Sequence, residues 1–264
     1  MQKIFWLVVF EAIGIANSAH AGAWVQEKGA SEFIYSTSFQ SGSSGFDANG
    51  NPSLNIDFQK WETAVFGEYG FAKNWSVVGR LAYQDVSIAE NGFIDQRAGF
   101  GASKLAIKRN LAKRKNLVFS MQGEVSIPGG AENGLDLRLG EGNIEWEVRA
   151  LAGFSWEVAE KPGFFDVQLA RKFRAKRIPD EWMVDITAGV RPSNQLMVMG
   201  QMFALQSDTA NFAGTRKLSS LKLQGSLVWF FNRRKGVQVF VSKTIDGRNI
   251  VADTAIGIGW WSRF

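Results

Sequence analysis

The chain has no cysteine, one histidine and five prolines among 264 residues. Without cysteine there is no disulfide framework and no thiolate metal site. The histidine, His20, falls inside an N-terminal stretch that reads as an export signal. Lys3 supplies the positive start, Ile4 to Phe10 and Ala12 to Ala16 the apolar stretch interrupted by Glu11, and Ala19-His20-Ala21 the small-x-small cleavage pattern. The expected organisation is a signal peptide over residues 1–21 and one domain over 22–264. A mature chain beginning at Gly22 would hold no histidine, which removes the Ser–His machinery of membrane-embedded lipid hydrolases and the commonest zinc ligand. Long hydrophobic runs are missing as well. Beyond the N-terminus no stretch of about 18 apolar residues occurs, so no membrane helix is expected, and a closed barrel is the remaining way to cross a bilayer. Low-complexity segments and interdomain linkers are also absent.

What is present is aromatic residues, glycine and alternation. The chain carries 28 Gly, 21 Phe and 10 Trp at a mean hydropathy of −0.10. From Ile144 to Glu157 two sequences interleave. Ile144, Trp146, Val148, Ala150, Ala152, Phe154 and Trp156 are apolar, whereas Glu145, Glu147, Arg149, Leu151, Gly153, Ser155 and Glu157 are mostly charged or small. Period two marks a strand with two unlike faces. Trp146 and Trp156 lie ten residues apart on one face, about 33 Å of strand. Tilted, that matches the band of about 25 Å, with aromatic girdles at both edges, of an outer-membrane barrel. A soluble sandwich strand alternates too.

About twelve such segments are expected: Ser31–Phe39, Phe58–Tyr69, Trp75–Gln84, Gln96–Ala106, Leu117–Ile127, Ile144–Glu157, Phe165–Phe173, Trp182–Val190, Leu196–Ala204, Leu218–Phe230, Val237–Lys243 and Ile250–Phe264. The connections between them alternate in length. Ser41–Asp57, Val86–Asp95, Pro128–Asn143, Arg174–Glu181 and Ser207–Lys217 are mostly long and polar. Those between are mostly short, with the basic Ile107–Asn116 connection the exception. The expected fold is all-β, a closed antiparallel transmembrane β-barrel with long extracellular loops and short periplasmic turns.

Several pieces of the chain then match known proteins. The terminus Gly257-Ile-Gly-Trp-Trp-Ser-Arg-Phe264 resembles the assembly signal of Gram-negative outer-membrane barrels, although Ser262 stands where a hydrophobic residue is usual. Glu68-Tyr69-Gly70-Phe71, Ile127-Pro128-Gly129-Gly130 and Gly189-Val190-Arg191-Pro192 resemble, in order and spacing, segments of the outer-membrane proteins linked to meta-pathway phenol degradation. The resemblance extends over most of residues 30–264. It implies a channel- or transporter-like barrel in the outer membrane, without defined catalytic residues. It also implies lipids and lipopolysaccharide as surroundings and the barrel-assembly machinery as a partner through Phe264, and it supplies a class, not a substrate; the cargo expected is a small molecule, aromatic or hydrophobic ones included.

By parity, the face opposite the aromatic one carries Lys60, Glu62, Glu68, Arg80, Arg97, Glu124, Glu145, Glu147, Arg149, Asp166, Lys172, Asp185 and Lys222. If the apolar face meets lipid, these groups point into the lumen. Glu62, Glu68, Arg80, Arg97, Glu124, Glu145, Glu147, Arg149, Asp166 and Asp185 are the candidates for a substrate path. Because both signs occur, a salt-bridged plug is the competing reading. Twelve strands predict a narrow or partly filled pore, narrowed further if Ser41–Asp57 or Pro128–Asn143 folds inward.

Other chemistry is expected to be missing. Asp47-Ala-Asn-Gly-Asn51 is similar to a calcium loop, but Pro52 and Phe58 occupy the positions of the turn glycine and the bidentate glutamate. Gly140-Glu-Gly142 and Gly257-Ile-Gly259 lack the third glycine of a dinucleotide site. No metal, cofactor or enzymatic activity is expected. Net charge is +5, but the cations are scattered through turns of an exported chain, so nucleic acid is not an expected partner. Two basic runs stand out. The first, Lys108, Arg109, Lys113, Arg114 and Lys115, reads as a solvated turn; the second, Arg171, Lys172, Arg174, Lys176 and Arg177, reads as a partner for lipid phosphates at the outer surface. The function expected is a narrow channel or transporter. The alternatives are a structural or envelope-interaction barrel without transport and, third, a barrel enzyme using Asp/Glu or Ser/Lys chemistry.

Overall fold

Alternation along the chain is converted into strands almost everywhere in the computed structural model, which describes residues 22–90, 93–129, 143–174, 178–209 and 217–264. The expected signal peptide, residues 1–21, lies outside the described residues. Fourteen strands form: β1 Ser31–Phe46, β2 Leu54–Ala72, β3 Trp75–Glu90, β4 Phe93–Phe100, β5 Ser103–Arg114, β6 Leu117–Ile127, β7 Glu145–Val158, β8 Lys161–Phe173, β9 Glu181–Val190, β10 Leu196–Ser207, β11 Ser219–Phe230, β12 Lys235–Arg248, β13 Ile250–Val251 and β14 Thr254–Arg263. Each pairs antiparallel with its neighbours. β1 closes the ring by pairing with β2 on one side, from Ser31↔Tyr69 upward, and with β14 on the other, from Glu32↔Arg263 upward. β4 pairs only with the far half of β3, and β13 only with the far end of β1. Setting these two aside leaves a closed wall of 14 − 2 = 12 strands.

The two faces of the wall differ as the period-two pattern requires. The outward face is apolar and exposed: Trp61, Tyr83, Phe100, Trp146, Phe173 and Trp182 near one end, and Tyr69, Phe71, Phe154, Trp229, Phe231 and Trp260 near the other. Aliphatic residues such as Val65, Leu81, Ile107, Val148, Leu169, Val239 and Ile258 lie between these rings. An apolar band bounded by aromatic girdles is the surface a bilayer solvates.

Tight turns join strands at one end. β2 and β3 are joined through Lys73-Asn74, β5 and β6 through Lys115-Asn116, and β7 and β8 through Ala159-Glu160. Asn74, Lys115, Ala159 and Glu160 all have positive φ. The other connections at this end, residues 191–195 and 231–234, are also short. The segments with the expected long loops lie at the opposite end.

The element boundaries correct the sequence reading in four places. Ile107–Arg114 is not a turn but the second half of β5, because Ile107 and Leu111 continue the outward apolar series. Gln96–Ala106 is not one strand: it bends at Gly101-Ala102, so β4 stays with β3 while β5 turns to pair with β6. The last strand is likewise interrupted at Ala252-Asp253. Much of Ser41–Asp57 and Val86–Asp95 is strand, because wall that extends past an apolar band has a polar outer face and reads as loop. Of the two segments expected to fold inward, one does not, and the other falls largely outside the described residues. Ser41–Asp57 is strand around a turn at residues 47–53, and residues 130–142 lie outside the described residues.

Candidate functional site

The ten charged candidates are Glu62, Glu68, Arg80, Arg97, Glu124, Glu145, Glu147, Arg149, Asp166 and Asp185. The structure places all ten on the inward side, mostly in groups that span neighbouring strands. On β2 and β3, Glu62 binds Lys60 at 2.8 Å, Arg80 at 2.5 Å and Gln84 at 2.8 Å. On β7, β8 and β9, Arg149 bridges Glu147 at 2.7 Å, Gln168 at 2.8 Å and Asp185. Above them, Arg174 joins Glu145 at 3.0 Å to Glu181 at 2.9 Å, with Lys172 3.7 Å from Glu145. Glu124 pairs with Lys104 at 3.3 Å, and Arg97, on the overhanging β4, with Asp95 at 3.4 Å. Lys222, also expected inside, is buried against Asp253 at 2.9 Å. A lone charge here would be costly, so opposite signs must be adjacent.

Glu68 and Asp166 do something different. Residues 22–30 enter the short-turn end of the barrel and lie against its inner wall, where five strands receive their backbone. The Ala23 amide donates to Asp166 Oδ2 at 2.7 Å. Lys108 Nζ donates to the Gly22 carbonyl at 3.1 Å, and Ser120 Oγ to that of Ala23. The Gln26 amide donates to Ser76 Oγ at 3.0 Å and lies 3.4 Å from Glu68 Oε1. Lys108 and Glu68 form an ion pair at 2.8 Å in which neither side chain is exposed at all. Trp24 packs edge-on against Phe164, with ring centroids 6.1 Å apart, and fills the space over Gly153, where a Cβ would lie 2.6 Å from the indole. A Cβ on Gly70 would overlap the backbone carbonyls of Gln26 and Glu27. Glycine there is what lets the segment cross β2.

This segment was not foreseen, and neither was Lys108. Residues 22–30 have no period, so nothing in them predicts where they go. Lys108 carried a signal that the basic run hid: Leu105, Ile107 and Arg109 continue the outward parity, which turns Lys104, Ala106 and Lys108 inward.

The rest of the inner wall is mostly neutral or apolar, apart from the ion pair of Glu32 on β1 with Arg263 on β14 at 2.6 Å. Across β9 to β11, Thr187, Gln201, Gln224 and Ser226 are linked through Gln201–Thr187 at 3.4 Å, Gln201–Gln224 at 2.7 Å and Gln224–Ser226 at 3.2 Å. Met197, Met199, Val228, Phe230, Trp261 and Ile34 form a buried cluster at the short-turn end, beside Phe66 and Phe164. Phe203, Leu205 and Phe240 lie further up, and Ile56, Phe58, Val86, Ile88 and Val251 cluster at the long-loop end. These inward apolar groups were missed because β10 is apolar on both faces, so parity cannot assign it. The interior is therefore divided lengthwise. β2 to β9 carry most of the paired charges, whereas β10 to β14 carry the larger inward apolar groups, interspersed on β11 and β12 with Gln224, Gln238, serines, Thr244 and the Lys222–Asp253 pair, and apolar groups reach β1 to β3 at both ends. Exposure on both sides is low, as in a lumen largely filled by side chains.

The second basic run divides by parity. Lys172 and Arg174 are spent on Glu145 and Glu181 inside. Arg171 alone is outside, paired with Asp208 at 2.5 Å and Asp180 at 3.2 Å and lying 5.0 Å over the Trp182 ring. Lys176 and Arg177 lie outside the described residues. In the Asp47 loop the carboxylate accepts the amides of Asn49 at 2.8 Å and Asn51 at 2.9 Å and the Ser53 hydroxyl at 3.1 Å. Its acceptor sites are occupied by its own loop, and those bonds hold its carboxyl below the usual range, the Asn51 amide most of all. Among the described residues no group of three or more metal-binding side chains occurs.

No family model matches the sequence, and no curated protein matches it. Solved structures do. The chain is similar to the COG4313 outer membrane channel from Pseudomonas putida F1, with a TM-score of 0.72 at 10% identity over 94% of this chain and 99% of that one. It is also similar to the translocator domain of the autotransporter NalP from Neisseria meningitidis, with a TM-score of 0.56 at 11% identity over 90% of both chains. The KdgM porin matches with a TM-score of 0.54 at 6% identity over 87% of this chain and 98% of that one. The fold is that of outer-membrane β-barrels, shared with channels and porins.

Proposed function

We propose that this chain is an outer-membrane barrel that serves as a narrow conduit for small apolar or aromatic molecules, closed at its periplasmic end by residues 22–30. The observation that carries the reading is the lengthwise division of the interior. Charges are neutralised in pairs, which offers little to a free ion, while Met199, Phe203, Phe240 and Phe58 set apolar groups on the inner wall at successive heights, between polar residues such as Gln201, Gln224 and Thr244. The fold likeness to channels and porins supports the class. Because short turns and both ends of the barrel chain share one side, that side is taken as periplasmic. No catalytic residue is assigned.

The filled short-turn end favours the second reading, a structural barrel without transport. Uptake of N-phenyl-1-naphthylamine, which fluoresces on passing the outer membrane, separates the two. Cells of a Gram-negative host displaying the barrel should take the dye up at least about threefold faster than cells without it, and Phe203→Asp should remove the gain. Equal rates, with the barrel shown to be folded by its heat-modifiable gel mobility, would leave the structural reading.

A further inference from the structure

The first basic run is taken apart by strand geometry, and most of it makes no ion pair among the described residues. Lys108 turns inward to Glu68. Arg109 and Arg114 turn outward: Arg109 is registered against Met121 and Arg114 against Leu117, both exposed on the apolar band. The Arg109 guanidinium lies 4.9 Å over the Trp75 ring. Lys115 sits at the turn with φ 42, and Lys73 stands on the adjacent β2–β3 turn. All four cations are exposed and make no ion pair among the described residues. Residues 233–235, Arg-Arg-Lys, repeat the pattern across the barrel, beside the contact of Phe231 with Trp260. Among the described residues, the only carboxylate on the five short turns is Glu160, with Glu157 at the adjoining end of β7 and Glu27 on the inserted segment at the same end.

We infer that this rim, centred on Lys73, Arg109, Arg114 and Lys115, binds the headgroups of anionic glycerophospholipids in the inner leaflet. The inference rests on the membrane orientation proposed above. The cations lie directly below the lipid-facing band, next to girdle aromatics, where long basic side chains bury their stems and extend their charge to the phosphate plane. Clusters of basic residues at that depth recognise anionic lipid electrostatically, and the attraction weakens with salt. An acidic soluble partner would not need guanidinium groups on the outward face among Met121, Leu117 and Trp75.

Spin-labelled lipids test this. In phosphatidylcholine vesicles carrying the folded barrel, spin-labelled phosphatidylglycerol should be immobilised about threefold or more in preference to spin-labelled phosphatidylcholine, and salt at about 1 M should remove most of the preference. Arg109→Gln with Arg114→Gln and Lys115→Gln should bring the ratio close to unity, whereas Lys217→Gln with Arg248→Gln, at the opposite end, should leave it unchanged. A wild-type ratio of unity, a ratio insensitive to salt, or an equal loss in the Lys217/Arg248 variant would overturn the assignment. Preference for an acidic peptide over the lipid in competition would overturn it in favour of a soluble partner. Dye uptake should be unaffected by the rim substitutions, so failure here leaves the proposed conduit standing, and the reverse.

Discussion

Ala159 and Glu160 both adopt positive φ, 50° and 61°, in a two-residue hairpin loop. That geometry suits the twist of antiparallel strands, but residues with a Cβ oppose it by about 1–2 kcal/mol each. Ala159→Asn with Glu160→Gly should therefore raise the unfolding midpoint in denaturant, by about 1 kcal/mol or more in total, with unchanged slope. An unchanged or lower midpoint would show the turn is not strained. Asp47 gives a pH dependence of definite sign. Its carboxyl is held low by loop hydrogen bonds, so their stabilisation is complete above the ordinary Asp value of about 3.9 and is lost as pH falls through the depressed value. The protection factors of the Asn49 and Asn51 amides, with the pH dependence of intrinsic exchange removed, should hold constant from neutral pH downward and fall only in that acid window; a fall already near pH 6 would contradict the geometry. Much at this scale was readable in advance. Trp146 and Val148 were placed outside, and Glu145, Glu147 and Arg149 inside, by parity alone. Most of their partners were not readable, because Gln168 and Lys172 lie on β8, Arg174 just beyond it and Asp185 on β9, and pairing across a sheet depends on register.

Among elements, the segment of residues 22–30 is the constriction of the proposed conduit, and it was the least legible. It forms no strand, and its position is fixed by donors and acceptors on β2, β3, β5, β6 and β8 that look unrelated in sequence. The motif Glu68-Tyr69-Gly70-Phe71, by contrast, now has a physical reason. Glu68 holds Lys108 and faces the Gln26 amide, Tyr69 and Phe71 lie in the girdle, and Gly70 leaves room for the crossing backbone. Gly189 is similarly constrained, since a Cβ would run into the Phe164 ring. Gly70→Val should expel the segment while leaving the wall intact. Conductance in planar bilayers should rise several-fold and chymotrypsin should cut at Trp24. A folded Gly70→Val barrel with wild-type conductance would show that the segment is not the constriction. Lys108→Met strands Glu68 in a dry site and should cost about 3–5 kcal/mol, a loss that Glu68→Leu in the same chain should largely restore.

For the whole molecule, the strand count and the two faces follow from repeated alternation, closed through the pairing of β1 with β14. The division of the interior does not follow from alternation, because β10 shows the same apolar character on both sides. Its inward set, Met197, Met199, Phe203 and Leu205, is defined only by closure. The account's central claim is that paired charges and inward apolar groups have separate tasks, the first setting the shape and ion conductance of the lumen and the second carrying the solute. Dye uptake measured side by side in Phe203→Asp/Phe240→Asp and in Glu147→Gln/Arg149→Gln/Asp185→Asn tests it most directly. The apolar-group variant should fall to the rate of cells without the barrel and the charge variant should stay within about twofold of wild type. Loss of uptake in the charge variant, with the apolar-group variant unaffected and both barrels folded, would contradict it.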